Sequence, residues 1–112
     1  MKTSSAKAKG RRCAQEAKNK LVMGAMDLQD DDIVVTSSGE TGKDLKLSPM
    51  AHQFYPFAIE CKNQEKLNVR AAFDQAKSHR GEKDIPLLIH TKNRSKMLAT
   101  LTLDDLVYLC NR

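Results

Sequence analysis

Apolar and polar residues along the chain recur with periods that predict alternating helices and strands. From Ala8 to Ala25, apolar residues return at three- and four-residue steps, which is typical of an amphipathic helix. A polar break at residues 30–32 precedes the β-branched run at residues 33–36 (IVVT), which predicts a strand. Residues 37–42, rich in Gly, Ser and Thr, predict a turn.

Two further segments alternate between apolar and polar residues, as half-buried strands do. Residues 43–47 (KDLKL) place two leucines on one face and Asp44 on the other. Residues 57–62 (FAIECK) also alternate, so Glu60 and Lys62 share one face. The segment between the two prolines that separate these strands is predicted to be a loop.

The last third of the chain predicts a helix, two strands and a short final helix. Asn68 is a suitable N-cap for the first of these helices, and Gly81 is a suitable stop. Residues 85–90 and 97–101 are apolar runs joined by a polar turn. With Thr102 as the cap of the last helix, the predicted order is αβββαββα, an α/β fold with a central mixed sheet flanked by helices.

Length and composition limit the class of protein. A chain of 112 residues can bury one core, so residues 1–7 are expected to form a flexible basic arm and residues 8–112 one domain. No apolar run approaches the roughly 20 residues of a membrane span, and the N-terminus lacks the apolar stretch of a secretory signal. The three cysteines show no paired spacing, which predicts buried thiols and a reducing, cytoplasmic setting.

Charge is distributed unevenly around a net value of +5. Residues 1–20 carry seven cations and one anion, whereas residues 21–44 carry six anions and one cation. Such a basic arm suits a nucleic-acid backbone, although many basic tails are merely solvated. Phosphate contacts are expected from the first helix and from the last turn between strands, through Lys7, Lys9, Arg11, Arg12, Lys92, Arg94 and Lys96.

The carboxylates on the two alternating strands are candidates for phosphodiester chemistry, which needs a cation at the phosphate and an activated water. If these strands pair as antiparallel neighbours, Asp44 and Glu60 converge and bind Mg²⁺ through oxygen, with the Cys61 carbonyl as a further ligand. The ammonium of Lys62, on the face of Glu60, would orient the attacking water or offset charge on the phosphate.

Simpler interpretations exist for the same residues. A Glu-x-Lys pair on a strand is commonly a solvated charge pair, and Asp44 follows a glycine and a lysine as a turn-end aspartate does. The strand around Glu60 is otherwise apolar, however, and a carboxylate on a central strand requires a specific role. We therefore prefer the catalytic interpretation.

The triad of Asp44, Glu60 and Lys62 resembles the active-site motif of the PD-(D/E)xK nuclease superfamily. Over its whole length the chain is similar to small phage endonucleases allied to archaeal-type Holliday junction resolvases. Residues 9–12 (KGRR) match the entry to the first helix of that group, and residues 57–65 (FAIECKNQE) are the most specific match. The proline of the superfamily's name is replaced by a lysine before Asp44, which makes the motif less specific.

This resemblance implies a restriction-endonuclease-like domain that cuts DNA with Mg²⁺, or Mn²⁺ in its place, and leaves 5′-phosphate and 3′-hydroxyl ends. The two carboxylates and the Cys61 carbonyl would hold the metal, and Lys62 would help to activate water. Glu16 matches an acidic position of the first helix, where it supports the site or forms a surface salt bridge. Gln75 matches a polar position on the helix after the motif, where it contacts the site or faces solvent.

Branched or duplex DNA is the expected substrate, because 4% aromatic residues and no tryptophan provide little material for base stacking. A homodimer or higher homo-oligomer is expected if two strands of a junction are cut, and a phage source in a bacterial cytoplasm follows from the resemblance. The apolar final helix is either core or interface, with core preferred. Alternatives are a silent DNA-binding module, a homing or nicking endonuclease, and an RNA-processing or protein-interaction domain.

Overall fold

The computed structural model describes residues 2–36, 43–79 and 83–112 as one α/β domain, which confirms the predicted class. The predicted turn at residues 37–42 and the predicted stop at Gly81 lie outside the described residues. A 3₁₀ turn at Asp30–Asp32 precedes the first strand. The helices and strands are α1 (Lys2–Met23), β1 (Ile33–Val35), β2 (Leu45–Leu47), α2 (Pro49–Phe54), β3 (Phe57–Asn63), α3 (Val69–Ser78), β4 (Ile85–Thr91), β5 (Leu98–Thr100) and α4 (Leu103–Asn111).

The strands form two sheets, which corrects the prediction of one central sheet. β3, β4 and β5 make a mixed sheet, with β3 parallel to β4 and β4 antiparallel to β5. β1 and β2 form a separate antiparallel ladder. The expectation that β2 and β3 pair as antiparallel strands is therefore wrong. α3 is the crossover connection that the parallel β3–β4 pair needs.

The segment between Pro49 and Pro56 is a helix, so the predicted loop is also wrong. The hydroxyl of Ser48 accepts a hydrogen bond from the Ala51 N–H at 3.1 Å, which caps the first turn of α2. Pro49 begins the helix, where its missing N–H costs no hydrogen bond. The helix ends before Pro56, because a proline disfavours helical geometry in the residue that precedes it.

α1 packs small side chains against the sheets. It begins at Lys2, earlier than the predicted start at Ala8, and residues 2–7 continue the same helix. Its buried residues are Cys13, Ala14 and Ala17. Because these side chains are short, the helix backbone can approach β1 and β3 closely.

α1 and α3 cover opposite faces of β3. Ile59 and Cys61 belong to the core cluster that contains the inward residues of α1. Side chains alternate along a strand, so Ala58 and Glu60 point to the other face, where α3 packs. The N-cap of α3 is Asn68, as predicted; its side-chain oxygen accepts from the Ala71 N–H at 3.0 Å. The α3 side of β3 is consequently where the Glu60 carboxyl lies.

The final helix does not join the core, so the preferred assignment of α4 to the core is wrong. Thr102 caps it as predicted, accepting from the Asp105 N–H at 3.1 Å. No residue of α4 is buried, although Leu101 just before it packs against the core cluster. Among the residues that the structure describes, no helix is long and apolar enough to cross a membrane.

A carboxylate cap joins the 3₁₀ turn to the start of α2. Asp32 accepts from the Gln29 N–H at 2.8 Å and from the Ser48 hydroxyl at 2.7 Å. The hydrogen bond from Gln29, followed by that from Ser48, lowers the pKa of Asp32. A carboxyl whose folded-state pKa is lowered stabilises the fold above its unfolded pKa, and this contribution is lost as pH falls through the folded pKa.

We therefore expect Asp32→Asn to lower the free energy of unfolding at pH 7. The deficit should shrink as pH falls below about 4, where the wild-type carboxyl also begins to lose its charge. Urea unfolding of both proteins at pH 7, 5 and 3 measures the difference. A deficit that stays constant over this pH range would show that the charge of Asp32 contributes nothing to the free energy of unfolding.

Candidate active site

Among the residues that the structure describes, Glu60 is the charged residue that is buried. Its side chain and backbone together have 4% of their surface exposed. It lies in the middle of β3, opposite Leu88 of β4. One of its carboxylate oxygens, Oε2, is 2.9 Å from Nδ1 of His79, the residue that ends α3. A side chain from the covering helix thus fixes one oxygen of a buried carboxylate.

Asp44 is hydrogen-bonded to the backbone of β3 at the residues immediately before and after Glu60. Its N–H donates to the Ile59 carbonyl at 3.0 Å, and its Oδ2 accepts from the Cys61 N–H at 2.6 Å. These contacts bring the carboxylate of Asp44 beside residue 60 although β2 does not pair with β3. The structure therefore brings Asp44 and Glu60 together by a different route from the one predicted.

The surroundings of Glu60 disfavour its charge. Burial raises the pKa of Glu60, and the neighbouring charge of Asp44 raises it further. The hydrogen bond and charge of His79, and the charge of Lys62, act in the opposite direction, but the balance is upward. Two carboxylates side by side, one of them buried, are in an arrangement that a bound cation would relieve.

Lys62 shares the face of Glu60, and its positive charge lowers the pKa of that carboxyl. Its backbone carbonyl accepts a weak hydrogen bond from the Cys13 thiol at 3.6 Å. Within residues 2–36, 43–79 and 83–112, the Lys62 ammonium has no hydrogen-bond or ion-pair partner.

The two carboxylates suit a hard divalent cation. In the described part of the chain, no group of three or more His, Cys, Asp and Glu side chains is arranged as a metal site. Asp44 and Glu60 each have one oxygen, Oδ1 and Oε1, with no hydrogen bond from the described residues. Mg²⁺ is commonly bound by one or two carboxylates and completes its shell with water and phosphate oxygens. The residues present fit an ion of this kind.

His79 is the residue of the site that the sequence analysis missed. Ala72, Ala76 and His79 follow a four- and three-residue spacing on the inward face of α3. That stripe predicts that residue 79 points to the sheet, so the signal was present in the sequence. The histidine was overlooked because it follows the last apolar residue of the stripe.

A second charged cluster anchors the segment that carries Asp44. Asp84, just before β4, is 2.8 Å from the Lys43 ammonium through Oδ2 and 2.6 Å from Nε2 of His52 through Oδ1. Lys43 immediately precedes Asp44 in the chain. The cluster therefore links α2 and the start of β4 to the backbone next to the first carboxylate.

The predicted cations lie on α1 and on the β4–β5 turn. Lys7, Arg11 and Arg12 are exposed, and Lys9 is half-buried. The Lys9 carbonyl accepts from the Asn63 side-chain amide at 3.5 Å, so this part of α1 lies at the end of β3, next to Lys62.

The turn between β4 and β5 approaches the middle of α1. Arg94 and Lys96 line an open groove of about 510 Å³ together with Lys20 and Glu16 of α1. Lys92, with Lys96, lines a neighbouring cavity of about 400 Å³. The structure thus places two cations of the turn beside Lys20 of α1, whereas the predicted α1 cations Lys7, Lys9, Arg11 and Arg12 do not line this groove.

Two residues suggested by the resemblance lie on exposed surfaces. Glu16 is on α1, against the face of β3 opposite to Glu60, and it forms no ion pair with the described residues. Gln75 is exposed on α3, while the inward side of that helix carries the alanines and His79. Neither side chain contacts the Asp44–Glu60 pair.

The cysteines are partly as predicted. Cys13 and Cys61 are buried, but Cys110 is exposed, so the prediction of buried thiols is wrong for the third. The hydrogen bond with Cys13, together with burial, raises the pKa of Cys61. The two thiols pack between α1 and β3, on the face of β3 opposite to the Glu60 carboxyl.

No protein-family model, no curated protein and no solved structure matches this chain. The resemblance to PD-(D/E)xK nucleases therefore stays a prediction from the sequence motifs.

Proposed function

We propose that this protein is a divalent-metal-dependent DNA endonuclease of the PD-(D/E)xK type, with a restriction-endonuclease-like domain and an active centre at Asp44, Glu60 and Lys62. The observation that carries the proposal is the buried carboxylate of Glu60, held beside a second carboxylate and beside an ammonium that has no partner among the described residues. A buried carboxylate with a raised pKa is costly to the fold, and such groups cluster at functional sites.

The free oxygens of Asp44 and Glu60 would hold Mg²⁺, or Mn²⁺ in its place, with the Cys61 carbonyl as a third ligand. When bound, the ion supplies charge neutralisation at the scissile phosphate. The Cys61 N–H and His79 each engage the other oxygen of one carboxylate and so fix its orientation. The ammonium of Lys62 orients the attacking water and offsets negative charge on the phosphate.

Cleavage in this arrangement leaves 5′-phosphate and 3′-hydroxyl ends on duplex or branched DNA. The backbone of the DNA would contact the cations of α1 and of the β4–β5 turn. Lys20 of α1 lines one groove with Arg94 and Lys96 of the turn. Cutting both strands of a junction requires a second active centre, which a homodimer provides. A phage-encoded enzyme acting in a bacterial cytoplasm is the setting that the resemblance implies.

A catalytically silent DNA-binding module of the same fold is the second candidate. It is favoured by one observation, namely that the described residues contain no three-residue metal group. The intact triad of Asp44, Glu60 and Lys62 favours the enzyme, since a decayed site is expected to lose at least one member.

Cleavage of labelled four-way junction, flap, nicked and linear duplex DNA, each with Mg²⁺ or with EDTA, tests the proposal. Metal-dependent cutting is the expected result, and the best-cut substrate identifies the preferred DNA structure. Binding without cutting of any substrate, in Mg²⁺ or Mn²⁺, would favour the silent module instead. The same panel made of RNA tests the RNA-processing alternative.

His79 should act as a positioning residue for the Glu60 carboxylate. We expect His79→Ala to raise the Mg²⁺ concentration for half-maximal cleavage by about tenfold, the usual cost of losing a hydrogen bond to a metal ligand. His79→Asn, which keeps a side-chain donor, should recover part of this loss. Equal Mg²⁺ dependence of His79→Ala and wild type would contradict the role, whatever the change in thermal stability.

A further inference from the structure

A pocket of about 400 Å³ lies where the two parallel strands of the mixed sheet end. The residues that follow β3 and β4 line it, together with the start of α3 and of β5. In open sheets with parallel strands, ligands commonly bind outside the carboxyl ends of those strands. We call this site the strand-end pocket, and the side chains that decide its chemistry are Leu67, Val69, His90, Lys92, Lys96 and Leu98.

The turn between β4 and β5, which borders the strand-end pocket, is held in place by hydrogen bonds. The Asn93 N–H donates to Oε2 of Glu65, just after β3, at 2.7 Å. The hydroxyl of Thr91, the last residue of β4, donates to the Ser95 carbonyl at 3.2 Å. The pocket is therefore shaped before a ligand arrives, which lowers the cost of binding.

The walls of the strand-end pocket are of two kinds. Leu67, Val69 and Leu98 supply an aliphatic surface, and Leu98 has 58% of its surface exposed. Lys92 and Lys96 supply ammonium groups, which have no ion-pair partner among the residues that the structure describes. A ligand that fits both walls carries an apolar part and a negative charge.

The charge of the lining matches one phosphodiester. Two lysines and Glu65 line the pocket, so with a neutral His90 its net charge is +1. A nucleic-acid strand carries one negative charge for each nucleotide. Val69, the first residue of α3, also lines the pocket, and the start of a helix favours a negative charge. One nucleotide, with a flat base and one phosphate, has the chemistry that these walls would recognise.

The strand-end pocket lies on the same face of the sheet as Glu60 and Lys62. His90 is the register partner of Lys62, and Leu98 is the register partner of His90. Residues opposite each other on neighbouring strands point to the same face. Two residues along β3 and one strand across separate Glu60 from His90, which is on the order of 8 Å. A DNA strand whose phosphate lies at Glu60 can therefore reach the pocket with an adjacent nucleotide.

We propose that the strand-end pocket takes one unpaired nucleotide of the DNA strand that is cut, with its base against the aliphatic wall and a phosphate at Lys92 and Lys96. The inference rests on the proposed function and names its substrate class, namely DNA with an unpaired nucleotide beside the cleavage point. A base inside a duplex reaches such a pocket only by extrusion, which costs least where the base is already unpaired. Because an aliphatic wall fits the face of any base, the pocket selects DNA structure and not sequence.

Binding of two DNA duplexes that differ by one unpaired nucleotide tests the pocket in EDTA, without any cutting. We expect wild type to bind the bulged duplex about tenfold more tightly than the fully paired one, because the paired base must first be extruded. Leu98→Gln removes part of the aliphatic wall without changing the charge, and it should lose most of this preference. Val34→Gln is the matched control, since Val34 is an apolar strand residue with 49% exposed and lies on β1.

Circular dichroism shows whether each of these variants is folded. Equal binding of the two duplexes by wild type would overturn the proposal. A preference for the bulged duplex that is unchanged in folded Leu98→Gln would overturn it as well.

Titration of the isotope-labelled full chain with deoxyadenosine 5′-monophosphate, followed by NMR, separates the pocket from the nuclease proposal. We expect saturable shifts of the amides of residues 64–69 and 91–98, and inorganic phosphate alone should shift only the β4–β5 turn. Metal-dependent DNA cutting without these shifts would overturn the pocket and leave the nuclease proposal standing. The shifts without DNA binding would overturn the nuclease proposal and assign the pocket to free nucleotides.

Discussion

Replacing Glu60 by Gln is expected to lower the rate of Mg²⁺-dependent DNA cleavage by about a thousandfold, the scale on which enzymes lose a group that stabilises transition-state charge. Gln keeps the shape of the side chain and a hydrogen bond to His79, but its neutral amide binds a divalent cation poorly. Single-turnover cleavage over a Mg²⁺ titration measures the loss. Asp27→Asn, which also replaces a carboxylate by an amide but at an exposed position, should cut like wild type.

The same variant should be more stable than wild type. Burial raises the folded-state pKa of Glu60 above its unfolded value, so its contribution is fully present below the unfolded pKa and lost as pH rises through the folded pKa. At a pH above the folded-state pKa, without metal, Glu60→Gln removes a buried charge, and we expect a gain of roughly 1 kcal/mol in the free energy of unfolding. Urea unfolding measures it. A loss of stability together with unchanged cleavage would assign Glu60 a structural role.

Replacing Lys62 by Met should separate the role of its ammonium from the metal-binding role of Glu60. We expect the maximal cleavage rate to fall about a hundredfold, because the ammonium that offsets charge on the phosphate is gone. The Mg²⁺ concentration for half-maximal cleavage should stay the same or decrease, because removing a cation beside Glu60 favours binding of another. Lys77→Met, at an exposed position of α3, is the matched control.

Cleavage rates of Lys62→Met at saturating and subsaturating Mg²⁺ give both the maximal rate and the Mg²⁺ concentration for half-maximal cleavage. Glu60→Gln and Lys62→Met should therefore differ in kind: the first loses the metal, and the second keeps the metal but cuts slowly. A large rise in the Mg²⁺ requirement of Lys62→Met would contradict the division of roles.

Local sequence patterns were sufficient for the strand that carries the site. The period-two alternation of residues 57–62 places Glu60 and Lys62 on one face, and the caps at Asn68 and Thr102 have the short hydrogen bonds that their residue types predict. These features depend on neighbours a few residues apart. Their signals are therefore contained in the sequence itself.

Features that depend on distant contacts were not predictable in the same way. Asp44 meets β3 through two hydrogen bonds to its backbone, while the strand that follows Asp44 pairs with β1. Alternation alone gives the face of a strand but not its neighbour. The contact of Asp84 with Lys43, 41 positions earlier in the chain, had no local signal either.

The final helix illustrates a further limit. Its apolar stripe has the spacing of a core-facing helix, and its preferred assignment to the core followed from that spacing. Periodicity shows that a face must be covered but not whether the cover comes from the same chain. In the described part of the chain, the large apolar side chains Leu103, Leu106, Val107 and Tyr108 of α4 stay exposed.

Cleavage of DNA by wild type and Glu60→Gln, at protein concentrations where both are shown to bind the substrate, tests the central claim most directly. We predict that wild type cuts in Mg²⁺ and not in EDTA, and that Glu60→Gln binds the same DNA without cutting it. Equal cutting by the two proteins, or binding without cutting by wild type in both Mg²⁺ and Mn²⁺, would contradict the assignment of Asp44, Glu60 and Lys62 as a nuclease centre.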